Sequence, residues 1–156
     1  MEAALLLDGD GGLGELGFRP PPEPLAYADV EPVPLALVAA PGHPLAAAPR
    51  LGPGDLHGRR LLVNAPGCSF RMAGERLFGP GVRRVEAGGV PVMRAWAEQG
   101  LGVTLLPEFA VAGQLAAGTL VRLALDVPAL VLRLVWRADR EESPGMREIL
   151  YAAAAA

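Results

Sequence analysis

The chain has 156 residues, 51% of them apolar and 20% charged, with a formal net charge of −3. That length supports one domain with a real core or two small lobes. Every basic residue is Arg, and the Arg residues are scattered, adjacent only at Arg59-Arg60 and Arg83-Arg84, which is not the footprint of a nucleic-acid-binding surface. The lone Cys68 excludes an internal disulfide and a multi-Cys metal site, and His43 and His57 have no spaced partner for zinc. No apolar run reaches the roughly eighteen residues of a membrane span. Met1 to Leu7 has neither the basic stretch nor the apolar length of a secretory signal. The expectation is a soluble cytoplasmic protein with no metal, no cofactor and no membrane partner.

Ala3 to Leu7 is a short apolar run and reads as a buried strand. Asp8 to Gly17 is Gly-rich and acidic, hence a loop; no Ser or Lys completes a phosphate-binding motif there. Arg19 to Pro24 is an extended Pro-rich segment. Leu25–Val30 and Val33–Ala40 read as strands. The second is apolar on both faces, as in a strand covered on two sides, and Pro41-Gly42-His43-Pro44 breaks it. Leu51–Leu56 holds one helical turn, and Arg60–Val63 is a strand.

Asn64 to Arg71 follows, read as N-A-P-G-C-S-F-R. A Pro-Gly breaker leads into a helix over Phe70–Phe78 with Ser69 at the cap position. Phe70, Ala73, Leu77 and Phe78 share one face at helical spacing, and Gly79-Pro80-Gly81 stops the helix. Val82–Glu86 is a strand and Gly88-Gly89 a turn. Val90–Gln99 is a helix with Pro91 in its first turn and Gly100 at its end. Val103–Leu106 is a strand, Pro107-Glu108 opens a helix to Ala117, and Leu120–Leu125 and Val131–Trp136 are strands. Ser143-Pro144 starts a last helix that runs into the terminal Ala residues. Trp96 and Trp136 read as core.

The alternation of strands and helices from Arg60 to Leu125 implies an α/β fold with a mostly parallel sheet and crossover helices. Ligands in such sheets sit at the carboxyl ends of the strands. Three turns belong there: Ala65–Ser69, Ala87–Val90 and Leu106–Glu108. Helix starts expose unpaired N–H groups and a partial positive charge, which suit an anion or a polar small molecule. The residues proposed to line the site are Asn64, Gly67, Cys68, Ser69, Phe70, Arg71, Gly88, Gly89 and Pro107. Each also has a plainer reading: Ser69 as a cap, Arg71 as a solvated cation, Cys68 as a small semi-buried residue, the glycines as turn formers. His43 reads as a turn residue, and Glu86 as a partner for an N–H or an Arg.

Seven stretches occur in the order found in one known family: L-A-L-V-A-A-P-G-H-P-L-A (35–46), G-D-L-H-G-R-R-L-L-V (54–63), G-C-S-F-R (67–71), V-E-A-G-G-V (85–90), Q-G-L-G-V-T-L-L-P-E (99–108), A-A-G-T-L-V-R-L (116–123) and L-V-W-R-A-D-R-E-E-S-P (134–144). The chain resembles the effector-binding half of LysR-type transcriptional regulators. The resemblance implies a type 2 periplasmic-binding-protein-like fold: two lobes with mixed sheets, the first incomplete. Lobe I would comprise 1–40 and 127–156 and lobe II 41–126, with a hinge at Val38, Pro41, Val127 and Pro128. It further implies a small, often anionic effector bound between lobes, a homo-dimer, and DNA contact only through a helix-turn-helix domain absent from this chain. The chain begins where the family has a later first-lobe strand, so a fragment or truncation is expected. Many relatives carry Ser where this chain has Gly89. The competing readings are a free-standing solute-binding lobe and an enzyme with Cys68 as nucleophile and His43 or His57 as base. The second lacks any residue pattern that orients a base.

Overall fold

The computed structural model describes residues 3–155; Met1, Glu2 and the last residue of the terminal Ala run, Ala156, lie outside the described residues. The chain divides into two units. The first combines the segment up to Val33 with the segment from Ala129, and the second is the continuous stretch Pro34–Pro128.

The first unit is built on β-branched and leucine-rich runs that alternate in chemistry. Strands β1 (Ala3–Asp8), β2 (Leu25–Val33) and, from the far end of the chain, Leu130–Arg137 form an antiparallel sheet with the C-terminal strand in the middle. Val131 to Trp136 was expected to be a strand and is one. Period-two alternation sends Leu134 and Trp136 to one face, where Met146, Leu150 and Ala153 of the last helix, Pro144–Ala154, pack on them together with Ala3, Ala26, Ala28 and Val30. Ser143 occupies the N-cap of that helix as expected, but its hydroxyl makes no cap bond.

The opposite face holds a charge. Arg133 sits amid V-L-R-L-V-W with its side chain wholly buried. A buried guanidinium must find a partner for each N–H. Nε donates to Asp29 Oδ1 (2.6 Å), Nη1 to Asp8 Oδ2 (3.0 Å) and to the Gly12 carbonyl (3.1 Å), and Nη2 to the Gly11 carbonyl (2.8 Å) and Asp29 Oδ2 (3.4 Å). The Tyr27 ring lies 4.7 Å from the guanidinium carbon. The hydrogen bond to Asp29 raises the Arg133 pKa above its ordinary value, against the opposing effect of burial. Asp8, also fully buried, accepts from the N–H groups of Gly9, Gly14 and Leu16, which fastens the Gly-rich loop over the pair.

The second unit contains, in chain order, β3 (Leu35–Ala39), β4 (Arg60–Val63), α1 (Ser69–Phe78), β5 (Arg83–Glu86), α2 (Val90–Glu98), β6 (Val103–Pro107), α3 (Glu108–Ala117) and β7 (Val121–Arg122). We call the C-terminal strand Leu130–Arg137 β8 and the last helix α4. The sheet order is β5-β4-β6-β3-β7. Strands β5, β4 and β6 run parallel, whereas β3 pairs antiparallel with both β6 and β7. The sheet is therefore mixed, with its parallel part confined to the strands joined by crossover helices. Every residue of β3 and β6 is buried. One face packs Ala36, Val38, Leu62 and Leu106 against Met93 and Ala97 of α2 and Val111 of α3. On the other face α1 brings Gly74 against Leu61 and Leu105. Thr104, the buried polar residue of β6, donates its hydroxyl to the Leu62 carbonyl at 3.2 Å.

Three expectations need correction. The apolar run 33–40 splits at Pro34, which cannot donate to a ladder; Val33 ends β2 and Leu35 opens β3. The chain thus leaves the first unit between Val33 and Pro34, seven residues before Pro41. Val38, expected at a hinge, lies in the middle of the second sheet, paired with Thr104 and Arg122. Finally, the strand expected over 120–125 shrinks to Val121–Arg122. The Leu125 N–H bonds back to the Leu123 carbonyl, which bends the chain, and the Ala124 carbonyl is taken by the Leu51 N–H at 2.8 Å.

Removing Arg133 strands Asp8 in the interior. Arg133→Met is expected to lower stability by about 3–5 kcal/mol, read as a drop in the urea midpoint, while Arg137→Met at the exposed pair with Asp139 leaves that midpoint nearly unchanged. A Cβ on Gly102 would lie 2.8 Å from the Arg60 carbonyl oxygen and 3.1 Å from Leu62. Gly102→Ala should therefore push β4 from β6 and lower the same midpoint, by about 1–3 kcal/mol.

Candidate functional site

Because β5, β4 and β6 are parallel neighbours, their carboxyl ends, Glu86, Val63 and Pro107, fall on the same edge of the sheet. Each strand feeds a helix, so the starts of α1, α2 and α3 follow from that edge. Gly67 and Gly88 adopt φ of +84° and +74°, a left-handed conformation costly for other residues, and permit the two tight turns. The Ala87 N–H donates to the Val63 carbonyl at 2.9 Å and holds the first two turns side by side.

The helix starts at this edge share a property that α4 also has. Their N-cap residues are Cys68, Gly89 and Pro107, and none supplies a side-chain cap bond. In α1 the first helical bond is from the Met72 N–H to the Cys68 carbonyl; in α2 it comes from the Val92 and Met93 N–H groups to Gly89. A Ser, Thr, Asp or Asn at these positions would fill the first-turn amides from within. Here no N-cap side chain does so; the first turn of α3 carries the acidic Glu108, whereas those of α1 and α2 carry no acidic residue to offset their partial positive charge. In α3 the Glu108 N–H is taken by the Pro34 carbonyl at 2.8 Å.

Ser69, which the sequence places at the cap, is instead the first residue of α1, one position after the N-cap Cys68. The difference follows from backbone angles: Cys68 is extended, at φ −72° and ψ 136°, whereas Ser69 is already helical. Cys68 is partly exposed. Phe70 packs on the core of the second unit. Asn64, the first residue after β4, has its Oδ1 buried with no partner among the described residues. Near the turn lies a void of about 10 Å³, lined in part by Asn64, Phe70 and Arg71, at the lower limit of the space one water needs.

Arg71 is not a solvated cation. Its Nη1 donates to the Asn64 carbonyl at 2.6 Å, its Nε to Glu75 at 3.0 Å, and its guanidinium lies 3.8 Å from Glu86. One side chain thus ties the end of β4 to α1 and reaches the end of β5. The sequence reading gives Glu86 as a partner for an N–H or an Arg, and Arg71 is the Arg that it approaches. His43 is a turn residue whose Nδ1 accepts the Leu45 N–H at 3.1 Å. Burial, with a smaller contribution from Arg59, holds its pKa below 6.5. The His57 ring packs on Gly81, where a Cβ would lie 2.5 Å from it. Sequence reasoning missed Asp8, Asp29 and Arg133. The available signal was a cation inside an otherwise apolar strand, which requires a buried anion somewhere in the chain. Among the described residues no group of His, Cys, Asp and Glu is placed to hold a metal ion, and no helix is long and apolar enough to cross a membrane.

The chain was compared with known proteins. It is 32% identical over 122 residues to the HTH-type transcriptional regulator CbbR of Rhodospirillum rubrum, an alignment covering 76% of this chain and 40% of that protein. It spans about two fifths of the length of the curated relatives it matches. Two solved structures share its fold at low identity. The CcmR regulatory domain of Synechocystis PCC6803, in complex with 2-PG, superposes with a TM-score of 0.80 at 20% identity, covering 99% of this chain and 72% of that one. The regulatory domain of MetR from N. meningitidis, a LysR family regulator, gives 0.77 at 14%, covering 97% and 70%.

Two measurements test the local geometry. Arg71→Ala should loosen the turn after β4 and speed amide exchange at Ala65–Phe70 by about tenfold, the equivalent of one lost charge-assisted hydrogen bond, with exchange in β6 unchanged. Because folded His43 binds a proton less readily than unfolded His43, stability should decline as pH falls below 6.5. The decline should level off once the folded imidazole titrates, and His43→Gln should remove that part of the slope in a pH series of thermal melts. The LysR substrate binding domain family matches residues 3–156, and this chain, with its mixed α/β fold, belongs to that family.

Proposed function

We propose that this chain is the effector-sensing module of a LysR-type transcription regulator, and that its effector is a small anion. The observation that carries the proposal is the row of helix starts without side-chain caps at one sheet edge, in a chain of this family. An anionic group can accept the N–H groups of the α1 and α2 first turns together, which water does less well because it lacks the charge. In this reading Ser69 adds a hydroxyl, Gly67, Gly88 and Gly89 let the backbone come close, and Asn64, Phe70 and Pro107 shape the floor. Arg71 acts by holding the turn, since its donors already serve Asn64, Glu75 and Glu86.

The two units would act as the lobes, with Val127 and Pro128 beside one of the two connections between them. An effector with different affinity for the open and closed arrangements shifts their balance. Through the arrangement of dimers that shift would reach a DNA-binding helix-turn-helix carried outside these residues. The 2-PG complex of the CcmR regulatory domain supports a small acid as the signal.

The test is a thermal-shift and calorimetric screen of small organic and phosphorylated acids, with 2-PG included. A ligand should raise the melting temperature by mass action. Ser69→Ala should weaken it by about 3- to 10-fold, the equivalent of one hydrogen bond. Introducing an internal cap at Gly89 with Gly89→Asp should weaken it further, because the carboxylate competes for the α2 amides and repels the ligand. A panel in which no acid binds, or in which ligands bind both variants as tightly as the parent, would defeat the proposal.

A further inference from the structure

The second unit has a separate concavity at the opposite margin of its sheet from β5. Strand β7 is the last strand in the order, and the residues after it, Arg122–Asp126, face the segment Pro49–Pro53. Together they enclose a groove of about 770 Å³, within the range of small-molecule sites. Its walls are fixed. The Leu51 N–H donates to the Ala124 carbonyl at 2.8 Å, and the Gly52 N–H to Asp55 Oδ2 at 2.7 Å. Pro49 and Pro53 stiffen one side, and Leu51 and Leu123 are buried at the base.

The groove carries three charges, and they differ in one respect. Arg122 is already matched by Glu108 at 2.8 Å. Arg50 and Asp126 line the same groove, yet among the described residues neither has an ion-pair or hydrogen-bond partner, and they do not pair with each other. An unpaired cation and an unpaired anion on two braced walls of a groove also lined by Leu125, Pro49 and Pro53 are complementary to a short molecule of both charges and an apolar body.

We propose that this groove binds a zwitterion with an apolar side chain, a free amino acid or dipeptide. Its carboxylate meets the Arg50 guanidinium, where a two-pronged contact is available. Its ammonium meets Asp126, and its hydrocarbon lies on Leu125, Pro49 and Pro53. Both charged partners are exposed, so affinity is modest and depends on the two ends being engaged together. The site uses none of the residues assigned to the anion at the helix starts.

The test uses the full chain and two probes, L-leucine and L-leucyl-L-leucine, with N-acetyl-leucine and leucinamide as single-charge controls. At about 10 mM, at least one zwitterion should raise the melting temperature by roughly 2 °C while the controls do not. Arg50→Gln and Asp126→Asn should each abolish that rise. Both residues are exposed, so both variants should melt like the parent without ligand. Ser69→Ala should leave the rise intact, which separates this groove from the anion site. The proposal is overturned if the controls match the zwitterions, if no zwitterion shifts the melt, if the rise survives in either groove variant, or if it is lost in Ser69→Ala.

Discussion

The parallel pairing of β4 with both β5 and β6 is the constraint on which the second unit depends. Parallel strands cannot be joined by a hairpin, so each must be linked by a crossover that carries a helix. The helices then start at the same sheet edge, and their amides gather there as a by-product of topology. The N-cap residues there are Cys68, Gly89 and Pro107, none of which makes a side-chain cap bond. Arg71 supplies the remaining order, since the turn after β4 contains a left-handed glycine and few bonds of its own.

The first unit rests on a different device. Its three strands have one helix on one face, and its other face is organised by a cation. Arg133 belongs to the central strand, Asp29 and Asp8 to the flanking strands, and the carbonyls of Gly11 and Gly12 to the loop between them. A buried pair of this kind adds little to stability relative to well-packed hydrocarbon. Its effect here is on register: a shift of β8 by one residue would carry Arg133 to the face occupied by α4.

Much of this was legible from residue patterns. The strand–turn–helix units between Arg60 and Ala117 announce themselves through apolar runs ended by Gly and Pro, and all three rim turns were found by that route. The family resemblance carried the two-lobed expectation, but local signals could not place the boundary. Leu35–Ala39 is equally apolar on either side of a division, and only its hydrogen bonds to β6 and β7 assign it to the second sheet. The end of β7 was hidden for a similar reason, because the Leu51 segment that stops it lies seventy residues away in sequence. Ser69 was misplaced by one position, since residue preference ranks Ser above Cys as a cap while the backbone angles decide otherwise. The Arg133 cluster was unreadable in detail because its members lie more than a hundred residues apart.

That separation has a consequence for biosynthesis. The segment Pro34–Pro128 is continuous and can close its sheet as soon as it leaves the ribosome. The strands β1 and β2 are made before that segment, but they pair only through β8, which is made after it. At about 5–20 residues per second, Asp8 and Asp29 therefore remain hydrated for several seconds, awaiting a guanidinium not yet translated. Closure of the Pro34–Pro128 sheet thus does not wait for the other unit, whereas the sheet of β1 and β2 waits for β8.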